Sequence, residues 1–250
     1  MRAYCTLVRR ELGAYFVSMT GYVLMGATLL LLGGSFTLLA KLLNTDPSDV
    51  PITELFYKVQ FFWLVLLLVS PLITMRSFAL EKHTGTYETL MTAPVSDIQV
   101  VLAKFTGVML FYLVLWLPLM AYPWILFKFT GDRLFLDPGT LGTTFTGVAL
   151  FGALFMSIGC FASALTHSQI IAAVLATGMG LALFLLSFLS FIHPARSGWQ
   201  SRFYSHISMV EHMLDFSRGV IDSRALVFYL TLTAFFLFLT LKVVESRRWK

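Results

Sequence analysis

The side chains able to do chemistry in this chain are few, and they stand at the edges of long apolar runs. All five histidines, His83, His167, His193, His206 and His212, lie at or outside the ends of those runs. His206, Glu211, His212 and Asp215 invite a metal reading, but their spacing matches no helical zinc pattern. The better expectation is a helix dipped partly into the membrane, with Glu211, His212, Asp215 and Arg218 on its polar upper face. Asp215 and Arg218 stand three apart and are expected to pair. No HExxH or GxSxG occurs, and no Gly-Lys dipeptide exists to make a phosphate-binding P-loop. Cys5 and Cys160 have no CxxC partner and read as small buried hydrophobes. No charge falls within the apolar runs, where ion-coupled transporters keep their ionisable groups. These residues therefore predict no catalytic, cofactor or metal site.

What remains is an ordered polar stretch, residues 76–104, between two strongly apolar ones. Glu81 and Glu88 flank a Gly85-Thr86 break. Arg76–His83 reads as a continuation of the preceding helix, and Gly85 as its stop. Thr86 is placed to cap a new helix carrying Glu88 in its first turn, where the helix dipole favours negative charge. Pro94 ends that helix after about two turns, and Ser96 with Gln99 forms a capping box for the next. So short a helix is unstable alone. With Leu90 and Met91 beside Glu88 it needs a surface, either a partner protein or the membrane face. The chemistry of this stretch is docking.

The elements that position it follow from composition. The chain has 250 residues, 58% hydrophobic and 12% charged, with a mean hydropathy of +0.81. Soluble domains carry about a quarter charged residues, so the solvent of this chain is lipid. The net charge of +5 is not gathered into a basic stripe, which excludes a nucleic-acid partner. Six charge-free runs, 21–40, 59–75, 105–127, 139–166, 168–192 and 225–241, predict six membrane-crossing helices. The fourth run is rich in small residues and suits close helix packing. Pro118 and Pro123 interrupt the third. Residues 1–20 read as an amphipathic helix lying in the membrane interface, with Arg2 and Arg9 opposite the apolar stripe, Arg10 to one side and Glu11 off pattern near its edge. A simple extension of the first span is the alternative. Residues 193–224 form the long external loop. With the N-terminus inside, ten basic residues face the cytoplasm and eight face out, or four without that loop. This puts both termini in the cytoplasm.

These residues resemble the membrane permease subunits of type-2 ABC exporters. Glu81, Gly85, Thr86, Glu88, Leu90, Pro94 and Lys104 stand where that family places E-x-x-x-G-T-x-E-x-L-x-x-x-P and a following lysine. Arg10-Glu11-Leu12 with Tyr15-Phe16 is also similar to it, although Met19-Thr20 replaces the usual Ser-Pro. Residues 208–230 look most like the gliding-motility branch. The resemblance spans the chain, 1–250, as one transmembrane domain. It implies a bacterial inner-membrane exporter of two permeases, identical or homologous, on two cytoplasmic ATPases that bind ATP and magnesium. It makes the helix after Gly85 a coupling helix resting on the ATPase, with Leu90 and Met91 in its groove. Residues 1–20 become a connecting helix, and Glu81 and Glu88 polar contacts to the ATPase or to that helix. The alternative it implies is the same architecture driving a cell-envelope or motility assembly without net transport.

Overall fold

The computed structural model describes residues 2–45, 54, 60–87, 95–131, 137–188 and 206–246. Glu88, Leu90, Met91 and Pro94, residues 193–205 of the loop expected outside the membrane, and the basic tail from Arg247 lie outside the described residues. Among the described residues every regular element is helical: α1 Arg2–Val17, α2 Met19–Thr45, α3 Gln60–Thr74, α4 Ala79–Thr84, α5 Asp97–Trp116, α6 Ala121–Thr130, α7 Pro138–Leu165, α8 Gln169–Leu186, α9 Met209–Ser217 and α10 Ser223–Ser246. Six segments among the described residues are long and apolar enough to cross a membrane: Met19–Lys41, Phe62–Thr84, Asp97–Phe129, Pro138–Leu165, Gln169–Leu186 and Ser223–Ser246. In lipid a helix satisfies its own backbone, which is why apolar composition alone suffices to specify such elements.

α7 is the central post. It packs against α3, α5, α8, α9 and α10, and Phe151, Leu154, Phe155, Met156 and Ile158 are buried along it. Its small residues permit this crowding. A Cβ on Gly159 would come within 2.0 Å of Thr74 Oγ1 on α3. Asp137 starts α7 as N-cap, accepting from Gly139 N at 3.3 Å and Thr140 N at 3.0 Å, and Pro138 at the first position lacks only an amide that would be an orphan anyway. α8 returns after Thr166–Ser168, the antiparallel turn the sequence predicts.

Two boundaries differ from the sequence reading. The first helix ends at Val17, and a bend at Ser18 separates α1 from α2, so α1 is no uninterrupted extension of the first span. The helix after span two does not continue smoothly through residues 76–83. A turn at 75–78 separates α3 from α4. Its backbone groups find a partner on α7: Ser163 Oγ accepts from Phe78 N and Ala79 N, both at 3.0 Å, and donates to Met75 O at 3.1 Å. That long-range partner is what permits a break local propensity does not announce. In the third span the interruption is a 3-10 turn, Leu117–Met120, with Pro118 at its start.

Candidate functional site

α1 lies along α5. Leu7, Leu12 and Phe16 pack against the core, and Tyr15 stacks on Phe111 with ring centroids 4.6 Å apart. The Tyr15 hydroxyl donates to Ile73 O at 2.9 Å. Tyr4 and Thr106 share a hydrogen bond of 2.7 Å. The helices meet closely at Gly107, where a Cβ would stand 2.7 Å from Glu11 Cβ.

That approach explains the off-pattern Glu11. Its carboxylate points inward to Lys104, a side chain only 2% exposed, with Nζ 3.1 Å from Glu11 Oε1. Lys104 Nζ also lies 2.9 Å from Glu81 Oε2 and donates to Ser77 O at 2.6 Å. Arg10 Nη2 closes the circuit from outside, 2.8 Å from both Glu11 Oε1 and Glu81 Oε1. Burial works against the Arg10 charge, but hydrogen bonds and attraction from Glu11, then from Glu81, outweigh it and raise the pKa above its ordinary value. Two cations and two carboxylates therefore fasten α1, α4 and α5 together. Lys82, buried in the same region, donates to Ala164 O near the end of α7, where the helix dipole favours a cation. It also sits 5.4 Å from the centre of the Tyr87 ring.

Gly85 ends α4 at φ 74°, a left-handed conformation that favours glycine. Thr86 Oγ1 lies 2.9 Å from Thr84 Oγ1 and 3.5 Å from Glu81 O, and Thr86 and Tyr87 are helical. The capping box at α5 is present, with Gln99 N to Ser96 Oγ at 3.3 Å and Ser96 N to Gln99 Oε1 at 3.4 Å. Arg9 is exposed.

At the other end of the bundle the expected Asp215–Arg218 pair is replaced. Arg218 grips Glu54 with two hydrogen bonds of 2.9 Å; a bidentate fork on a carboxylate is stronger than a single surface contact. Glu211 bonds through its backbone amide to Ser208, the N-cap of α9. His212 turns inward, with Nδ1 3.1 Å from the Tyr229 hydroxyl. Burial, then nearby His206, lowers its pKa to about 4 against the opposing pull of Asp222. Burial raises that of Asp215. Thr143 Oγ1 donates to Phe216 O at 2.7 Å and ties α9 to α7.

The structure thus joins Arg10, Glu11 and Glu81, and recruits Lys104, which the sequence reading left at the start of a helix. Glu54 and Ser163 were missed outright. The one local signal was Glu11, an acid on an apolar edge.

A family model described as ABC-2 family transporter protein matches residues 43–241. The match takes in Glu54, Glu81, Lys104 and Arg218, and leaves Arg10 and Glu11 before it. No curated protein matches the chain. With six apolar spans and this match over most of its length, the chain belongs to the ABC-2 family of transporter proteins, as a multi-pass membrane permease component of an ABC system and not a catalytic domain.

Proposed function

We propose that this chain is the permease subunit of an ATP-driven exporter of the inner membrane. It works as one of a pair, identical or homologous, with both termini and the 76–104 stretch facing a cytoplasmic ABC ATPase. The observation that supports this most is the ionic fastening of α1 and α4 to α5 through Arg10, Glu11, Glu81 and Lys104. A push received by the segment after Gly85 is then shared at once by α1 and the third span. ATP and magnesium belong to the partner. The resemblance at residues 208–230 favours, as a second reading, a gliding-motility relative that passes the same force to an envelope assembly.

The test is purification from membranes in mild detergent with mass spectrometry, comparing wild type, Glu88→Lys and Glu81→Lys. An ABC ATPase is expected at near-equal stoichiometry, and Glu88→Lys is expected to weaken it. Glu81→Lys is expected to lower both the ATPase yield and the thermal transition of the permease, because it also breaks the internal network. Absence of any ATPase after crosslinking would sink the proposal. Net cargo movement in reconstituted vesicles separates exporter from envelope motor.

A further inference from the structure

Arg76 borders the ionic network and is not absorbed by it. Arg10 and Lys104 share the carboxylates of Glu11 and Glu81, two charges of each sign. Arg76 stands at the turn after α3 and reaches across to the bend between α1 and α2. There Nη1 donates to Ser18 Oγ at 3.0 Å and to Thr20 Oγ1, two neutral hydroxyls themselves 2.7 Å apart. Among the described residues no carboxylate pairs with Arg76, and its Nε and Nη2 make no hydrogen bond.

Beside it opens a cavity of about 270 Å³, its walls formed by Ala14, Tyr15, Ser77 and Leu80 together with Arg76 and the charged quartet. Three cations against two carboxylates leave this cavity with one uncompensated positive charge. A guanidinium with free N–H groups matches the geometry of a phosphate oxygen pair. The surface around the bend is apolar: Val17, Met19 and Tyr22 are exposed, as is Leu72 one turn before Arg76. A charged hollow rimmed by exposed apolar side chains is the setting of an interfacial headgroup.

We propose that this cavity binds a phosphate group carrying one net negative charge, with Arg76 as the main anchor. The group comes either from the ester of a lipid headgroup or from free phosphate. The inference goes beyond the transport reading and does not depend on ATP coupling or on the direction of transport.

The experiment titrates the full-length chain in mild detergent with short-chain phosphatidylglycerol, and separately with inorganic phosphate, by native mass spectrometry. Arg76→Gln removes the anchor. Leu80→Trp fills the cavity while keeping every charge. Arg224→Gln, at the opposite end of the bundle, is the control. One saturable site is expected, weakened about tenfold or more by Arg76→Gln, as the loss of a charged hydrogen bond implies, weakened also by Leu80→Trp, and unchanged by Arg224→Gln. Phosphatidylglycerol binding that inorganic phosphate does not displace assigns the site to a lipid headgroup. Saturable inorganic phosphate without the lipid assigns it to the free anion. No saturable binding of either, or binding indifferent to both cavity substitutions, overturns the proposal. Each variant is first checked for a cooperative thermal transition; should Arg76→Gln fail it, Leu80→Trp decides alone.

Discussion

Lys104→Met tests whether the buried charges hold the N-terminal helix in place. The lysine is 2% exposed and its Nζ serves three oxygens: Glu11 Oε1, Glu81 Oε2 and Ser77 O. Methionine fills a similar volume and removes all three interactions, so two carboxylates are left facing each other. Breaking a buried ion pair by deleting one partner costs about 3–5 kcal/mol. Two features place this case at the low end. Arg10 still reaches both glutamates, although its own side chain is 51% exposed, and the carboxylates are 12% and 17% exposed, so water can approach them. The expected loss is therefore about 3 kcal/mol, which for a chain of this size lowers Tm by roughly 6–12 °C. The assay is thermal unfolding in mild detergent, with limited proteolysis at Arg9 and Arg10 as a local reporter of α1. Adding Glu11→Gln and Glu81→Gln to Lys104→Met removes the repulsion and is expected to restore most of the loss. A single variant within about 1 kcal/mol of wild type, with α1 still protected, would refute the reasoning. α1 would then be held by the packing of Leu7, Leu12, Tyr15 and Phe16 and by the Tyr4–Thr106 hydrogen bond.

Arg218→Met strips Glu54 of its bidentate partner at a position where the carboxylate side chain is 4% exposed. A lower unfolding temperature is expected, largely recovered by adding Glu54→Gln, and calorimetry of the two variants checks both outcomes. His212 contributes a pH dependence of definite sign. Its folded pKa, about 4, lies below the ordinary 6.5, so its neutral form is favoured by folding. That contribution is full above pH 6.5 and is lost as pH falls from 6.5 toward 4. The difference in Tm between wild type and His212→Phe should therefore shrink through that window; a difference that stays constant from pH 7 to pH 4 counts against the burial argument.

The spans were legible because a run of apolar residues long enough to cross lipid has few alternatives. Glycine at 85 and the Ser96–Gln99 box were legible because caps are written within four residues. The ionic site was legible only as an anomaly. Glu11 spoiled the stripe of α1, but its partner is 93 positions away, and no local period records such a pairing. The turn at 75–78 was missed for the same reason: its amides are satisfied by Ser163, and residues 76–83 taken alone look like an ordinary helix. Arg218 was given to Asp215 because three-residue spacing is visible in sequence, whereas Glu54, 164 positions distant, is visible only in the fold.

The hydroxyl of Ser163 has a consequence for biosynthesis. The amides of Phe78 and Ala79 leave the ribosome 84–85 residues before the oxygen that will satisfy them. At roughly 5–20 residues per second the interval is about 4–17 s. During it the C-terminal end of the nascent second span must borrow water or continue as helix. The turn can set only when the fourth span arrives beside it, so the hairpin between spans two and three is completed by a segment not yet made when that hairpin first inserts.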